Sequence, residues 1–270
     1  MKEFLQFEDL TISYGGHKVV TSLSGKFVPG KVNLVVGRAG SGKSSLLLTV
    51  AGFHKEFSGK IRDENGKFDP SGNFSLAFQN PESLFFNATA GDEVEFALRM
   101  RQLPESEIID RARGWLLRWG LEPDQYYKIH PHELSGGEKR RLALAACTVF
   151  LPPLILLDEP LAGLDRRGQT SLATMLAEMA AKHIVVVVTH EPEIFIQNQS
   201  RILFLKEGRG DWFDGNEFLA LSLKNSDFYP LPGWYERAMT NFTDRADLPE
   251  VNATAVAEFL KRAASNANRL

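Results

Sequence analysis

Residues 37–44, Gly-Arg-Ala-Gly-Ser-Gly-Lys-Ser, have the types and spacing that hold the phosphates of a nucleotide. They fit the phosphate-binding loop pattern of Gly, four residues, then Gly-Lys-Ser. In such a loop Gly37, Arg38, Ala39, Gly40, Ser41 and Gly42 turn successive backbone N–H groups toward phosphate oxygens. The following helix adds its positive end. Lys43 then reaches the β- and γ-phosphates, Ser44 offers its hydroxyl to Mg²⁺, and Ser45 continues the same nucleotide-binding stretch. The flanks have the required form. Residues 31–36 are a largely apolar, strand-like run, and residues 45–51 are Leu-rich and suit a helix start.

A second group of chemical interest lies downstream. Residues 154–159, Leu-Ile-Leu-Leu-Asp-Glu, are an apolar run that ends in two carboxylates. A continuous apolar run is the mark of a parallel strand buried on both faces. Ligands of open α/β sheets bind at the carboxyl ends of such strands. Asp158 is therefore placed to hold Mg²⁺ directly or through water. Glu159, one residue further, is placed to polarise an attacking water as a general base.

Residues 134–138, Leu-Ser-Gly-Gly-Glu, begin what reads as a second anion-facing helix. One nucleotide has no evident need of two such helix ends. With this segment the chain resembles the ATP-binding cassette (ABC) family, whose signature motif it matches. The resemblance implies that two subunits sandwich two ATP molecules. The phosphate loop of one would face Ser135, Gly136 and Gly137 of the other. It also implies roles for single residues. Tyr14 matches the adenine-stacking aromatic. Gln79 matches the glutamine that joins Mg²⁺ and water to the transmembrane partner. Asp165 is the key residue of the loop that crosses the dimer interface, and His190 is the switch histidine at the γ-phosphate. Many family members carry Ser or Thr where this chain has Leu161. The resemblance extends over roughly the first four-fifths of the chain.

The elements that must position these groups can be read from patterning. Residues 1–28 read as two antiparallel strands joined through Gly15 and Gly16. Residues 58–78, with turn residues at 63–66 and 69–72, read as a β-hairpin. Residues 104–120 carry Ile108, Ala112, Trp115, Leu116 and Trp119 as a helical stripe, with the tryptophans expected in the core. Strand patterns return at 154–158, 184–189 and 201–205. The expected fold class is α/β: a phosphate-loop NTPase core with an antiparallel β subdomain, an inserted helical subdomain and a short C-terminal helical extension. The ATPase domain is placed at 1–217 with its helical part at about 80–148, and the extension at 218–270. An amphipathic helix is expected around Val256, Phe259, Leu260 and Ala263, and a short one at 234–242. The extension would either pack on its own core or stabilise a dimer.

Composition narrows the function classes. The chain has 270 residues and a net charge of −3, which argues against broad nucleic-acid binding. Its single cysteine, Cys147, cannot form an internal disulfide and suits a small buried apolar role. No apolar run has the length of a membrane span and no signal peptide is visible, so any membrane pathway is expected from another chain.

Within the ABC family, residues 79–86, Gln-Asn-Pro-Glu-Ser-Leu-Phe-Phe, followed by Asp92, Glu93 and Val94, resemble the ATPases of energy-coupling factor (ECF) importers. Residues 134–145 and 158–165 are similar to that group too. The resemblance implies an ATP- and Mg²⁺-dependent ATPase on the cytoplasmic face of the membrane, peripheral to it. It would drive uptake of a vitamin or a transition-metal ion such as cobalt or nickel. The implied partners are a coupling membrane protein, a substrate-binding membrane protein and a second ABC ATPase, identical or related. The ATPase of another ABC importer or exporter, or an ABC protein without a transport role, is the alternative. Leu84, Phe85 and Phe86 either form a groove for a partner's helix or pack the joint between subdomains. Asp92 and Glu93 favour a helix start, with Thr89 as its cap.

Overall fold

The computed structural model describes residues 4–66, 68–69, 74–196, 200–224 and 229. Strands β1 (Leu5–Tyr14), β2 (His17–Phe27) and β4 (Phe57–Arg62) form an antiparallel sheet in the order β2-β1-β4. A second, larger sheet has the order β5-β6-β7-β3-β8-β9. Its members are β3 (Val32–Gly37), β5 (Phe74–Ala77), β6 (Leu154–Asp158), β7 (Ile184–Val188), β8 (Ser200–Lys206) and β9 (Arg209–Asp214). All pairings in it are parallel except that of β8 with β9.

The apolar runs explain the larger sheet. Every residue of β3 and β7 is buried, as both-face burial of a parallel sheet requires. The two faces feed different cores. Val32, Leu34 and Val36 of β3 join a core built mainly with helices, while Val35 joins the core beneath the antiparallel sheet. Helix α1 (Lys43–Val50) lies in that second core through Leu46, Leu47 and Val50. The phosphate-loop helix is thus clamped between the two sheets.

Residues 58–78 do not form a hairpin. β4 closes on β1, whereas β5 joins β6 in the other sheet. The turn chemistry is where the sequence puts it: Asn65 N–H donates to Asp63 Oδ1 at 2.9 Å and Gly66 N–H to the Asp63 carbonyl at 2.9 Å. Such residues mark where a strand stops. They do not say which sheet the next strand enters, and the apolar partner β6 captures β5.

Between β5 and β6 the chain is helical. A 3₁₀ turn (Pro81–Leu84) leads to α2 (Ala90–Arg99), α3 (Glu105–Arg118), α4 (Pro123–Tyr126), a 3₁₀ turn (Pro131–Glu133) and α5 (Gly136–Thr148). Thr89 caps α2, its side chain accepting from Asp92 N–H at 3.1 Å. Trp115 and Trp119 are buried, and Trp115 Nε1 donates to Thr148 Oγ1 at 3.2 Å, joining α3 to α5. Cys147 is a free thiol whose pKa burial pushes up to about 11, so it is held as the neutral form. After β6 come α6 (Arg166–Ala180), α7 (Glu193–Ile196) and α8 (Gly215–Lys224). Phe218 of α8 packs with Phe204 and Tyr229 in an aromatic cluster. The helices expected at 234–242 and near Val256 lie outside the described residues. Among the described residues, no helix is long and apolar enough to cross a membrane.

Candidate functional site

The parallel strands end on one edge of the sheet, and the chemical groups are gathered there. Register makes this explicit. Ala77 pairs Leu157, and Asp158 pairs Val188. Gln79, Asp158, Glu159 and His190 therefore leave adjacent strands at the same level, and the phosphate loop leaves β3 beside them.

The loop's glycines are demanded by geometry. A Cβ on Gly37 would lie 2.3 Å from the Leu205 carbonyl oxygen and 2.5 Å from Ser41 Oγ. Gly42 has φ +98°, and a Cβ there would lie 2.7 Å from Val20 Cγ2 and 2.9 Å from the Val19 carbonyl oxygen. That conformation is open to glycine and costly for other residues. Gly42 is also the N-cap of α1 and gives no side-chain cap. The first N–H groups of α1 are left for a ligand, at the positive end of the helix. The Ser41 hydroxyl is a buried polar atom without a hydrogen-bond partner among the described residues. Arg38, Ala39, Gly40 and Ser44 are exposed around this opening, and Ser45 follows within the first turn of α1. Lys43 Nζ folds back onto the loop, donating to the carbonyls of Gly37 at 2.9 Å and Arg38 at 3.1 Å. Burial lowers the Lys43 pKa, while Glu159 and Asp158 pull it back up.

Asp158 at the end of β6 is raised in pKa by burial, against the pull of the Ser44 hydroxyl and the Lys43 and Arg140 charges. The next residue, Glu159, has φ +49°, a left-handed conformation rare outside glycine. Its N–H donates to the Val188 carbonyl at 2.9 Å. Its Oε2 lies 2.7 Å from His190 Nδ1 and accepts from His190 N–H at 3.4 Å. Burial raises the Glu159 pKa, the charge and hydrogen bonds of His190 lower it, and Asp158 raises it. The carboxylate–imidazole pair was not evident from the sequence, which places Glu159 and His190 at the ends of separate strands.

The donors present suit Mg²⁺, which takes oxygen ligands and draws several of them from phosphates and water. The Ser44 hydroxyl lies close enough to Asp158 to favour its ionised form, so both oxygens sit next to the loop. Among the described residues no cluster of three or more His, Cys, Asp or Glu holds a metal alone. The exposed Gln79 is near in register, and its carbonyl accepts from Arg140 Nη1 at 2.6 Å.

The remaining expected residues lie further out. Tyr14 ends β1 on the antiparallel sheet, exposed and stacked on His54 with ring centroids 4.0 Å apart. Ser135 caps α5 in a capping box with Glu138: Ser135 N–H donates to Glu138 Oε2 at 2.8 Å and the Ser135 hydroxyl donates to the same oxygen at 2.7 Å. Gly136 has open space where a Cβ would be, and Gly137 has only loose neighbours there. Asp165 is exposed and caps α6, accepting from Gly168 N–H at 2.8 Å. Leu161, where many family members have Ser or Thr, is buried in the core. Its apolar side chain is explained by packing.

A phosphate-binding loop, two carboxylates and a histidine at one edge of a parallel sheet define the class: an α/β nucleotide-binding ATPase. Comparison with known proteins gives the family. The profile of the ABC transporter family matches residues 20–162. The energy-coupling factor transporter ATP-binding protein EcfA2 of Thermotoga maritima is 36% identical over 196 residues, 70% of this chain and 73% of that protein. The structure of cbiO1 from Clostridium perfringens, part of the ABC transporter complex cbiONQ, superposes with TM-score 0.74 at 28% identity. It covers 89% of this chain and 100% of that one. The ATP-binding cassette MJ0796, in a dimeric post-hydrolysis state bound to ADP and Pi, superposes with TM-score 0.68 at 26% identity, over 78% and 98% of the two chains. The chain belongs to the ABC transporter family, and it is a nucleotide-binding ABC-type ATPase.

Proposed function

We propose that this ATPase powers an importer of the energy-coupling factor type, for a vitamin or a transition-metal ion such as cobalt or nickel. The observation that carries the reading is the likeness to EcfA2 across 70% of the chain, together with the fit to cbiO1. The apolar side chains exposed on the segment after Gln79 and on α2 support it. Leu84, Phe86, Phe96 and Met100 are 58%, 67%, 42% and 66% exposed. Solvent-facing phenylalanines clustered in this way suit an apolar helix of a membrane partner. Glu93 fixes the backbone at Phe86: its Oε1 accepts from Phe86 N–H at 2.6 Å and Asn87 N–H at 2.7 Å. Glu93 therefore does more than favour the start of α2.

In this reading the loop N–H groups, the α1 terminus and Lys43 bind the phosphates of ATP, and Tyr14 stacks on adenine. Ser44 and Asp158, with Gln79, would hold Mg²⁺, which on binding neutralises phosphate charge. Glu159 accepts a proton from the attacking water, and His190 orients the Glu159 carboxylate across their 2.7 Å contact. Ser135, Gly136 and Gly137 face the γ-phosphate bound by a second ABC ATPase, identical or related, and Asp165 lies at that interface. The exposure of Ser135 and Gly136, with free space at Gly136, and the dimeric state of MJ0796 support this arrangement. The subunit would sit on the cytoplasmic face of the membrane against a coupling protein and a substrate-binding protein.

The first test is the oligomeric state of Glu159→Gln with and without Mg-ATP, by size exclusion with light scattering. ATP-dependent dimerisation supports the sandwich. A monomer that binds ATP points to a different ATPase as partner. Affinity purification from membranes then tests the importer type: two small integral membrane proteins are expected, and a pair of large transmembrane domains would overturn it.

A further inference from the structure

Arg140 is the sixth residue of the segment that begins at Ser135, yet its side chain is only 3% exposed and reaches from α5 to the ends of β5 and β6. The guanidinium closes on two pieces of chain, 79–82 and 159–160, that are far apart in sequence. Nη1 donates to the Gln79 carbonyl at 2.6 Å and to Glu82 Oε2 at 3.2 Å. Nη2 donates to the Glu159 carbonyl. Nε donates to the Pro160 carbonyl at 3.4 Å. A planar fork with donors on several edges can span such separated acceptors, and an ammonium cannot.

Two of these acceptors belong to backbone that the chemistry depends on. Glu159 sits at φ +49°, a conformation that must be held by its surroundings. Its N–H is fixed by the Val188 carbonyl and its carbonyl by Arg140. The peptide groups on both sides of Glu159 are thereby tied down, and this sets the direction in which its carboxylate leaves toward His190. The same guanidinium holds the carbonyl of Gln79 and, through Glu82, the 3₁₀ turn that carries the exposed Leu84. Burial of the charge is matched by a carboxylate and three carbonyls, so the group is satisfied where it stands.

We propose that Arg140 is a positioning residue that locks the Glu159 peptide, the Gln79 segment and helix α5 into one unit. Displacement of the exposed Leu84–Phe86 surface is then transmitted to the Glu159 carboxylate through one side chain. A turn of the signature helix carries both with it. This inference rests on the reading of Glu159 as the group that activates water.

The test uses the full chain with the partners that co-purify with it, as wild type, Arg140→Lys, Arg140→Gln and Glu159→Gln. ATP turnover, ATP affinity, thermal midpoint and hydrogen exchange are measured. A positioning role lowers kcat by about tenfold or more in both Arg140 variants while the KM for ATP stays within about threefold. Lysine does not rescue, because it lacks the fork. Hydrogen exchange rises together in peptides covering residues 77–84 and 157–162, and stays unchanged in β7 and β8. That readout needs no turnover. Wild-type kcat in the Arg140 variants beside an inactive Glu159→Gln would overturn the proposal. So would exchange that rises in one segment alone, or a failure of both variants to fold, which would leave Arg140 a purely structural part. If Glu159→Gln itself turns over like wild type, the reading of Glu159 fails, and the coupled exchange still decides whether Arg140 joins the two segments.

Discussion

Nδ1 of His190 lies 2.7 Å from Oε2 of Glu159, although 31 residues separate them in the chain. Parallel pairing of β6 with β7 brings the two strand ends together, and the left-handed turn at Glu159 aims its carboxylate across. Burial would leave this carboxylate a poor anion, and His190 counters that. Glu159→Gln is expected to lower ATP turnover by about 10²-fold or more with ATP binding retained, as loss of a general base does. His190→Ala should lower kcat in the same direction, and the double variant should cost far less than the product of the two effects, since the residues act as a pair. Steady-state turnover of the four proteins, with nucleotide affinity measured in parallel, checks this. Additive losses would show that the contact has no role in turnover.

The phosphate loop gives a prediction about shape. Gly42→Ala places a Cβ 2.7 Å from Val20 Cγ2 at φ +98°. Strain of this kind costs about 1–3 kcal/mol. Because Gly42 also starts α1, the strain falls on the first N–H groups of that helix, which the proposed function assigns to the phosphates. A lower thermal midpoint without nucleotide and a still smaller stabilisation by Mg-ATP are expected from thermal melts. Gly40→Ala is a useful contrast, since its Cβ would meet nothing within 4 Å and only the φ of +78° opposes it.

The phosphate loop and the strand ending in Asp158 and Glu159 were legible because their meaning is local. Gly-Lys-Ser after an apolar run needs no tertiary information. Burial of Trp115 and Trp119 followed from helical spacing. The partner of β5 was not legible, because Asp63, Asn65 and Gly66 end β4 without naming the next sheet. Arg140 gave no signal either: in the sequence it is one of two adjacent arginines, and only the fold shows which one turns inward. Glu93 read as a helix-start acid, and its bonds to Phe86 and Asn87 depend on how the loop returns over α2.

Phe86 separates stability from docking. It is 67% exposed, and its main ring contact is the edge-to-face pair with Phe96 at 4.8 Å. Phe86→Ser should cost folding stability no more than about 1.5 kcal/mol, the worth of one aromatic pair. Recovery of membrane partners in pull-downs should nevertheless fall severalfold. Undiminished recovery would place the partner surface elsewhere.

Glu193 makes the stability of this chain depend on pH. It is 2% exposed, and neither carboxylate oxygen has a hydrogen-bond partner among the described residues. Burial pushes its pKa up from 4.5 to about 7; the nearby N–H of its own backbone, Arg166 and His190 oppose the rise, and Glu191 adds to it. Below pH 4.5 the group is protonated in both folded and unfolded chains and adds no pH dependence. Between pH 4.5 and about 7 the unfolded chain releases the proton and the folded chain keeps it, so stability falls as pH rises. The loss is complete above about pH 7 and amounts to roughly 3 kcal/mol. Glu193→Gln keeps the shape of the protonated form and cannot ionise. Denaturant midpoints measured from pH 5 to 8 should fall more steeply for the wild type than for the variant, and the variant should be the more stable protein at pH 8. Parallel curves would mean that Glu193 finds a proton donor or a cation in the folded protein, and is held ionised there.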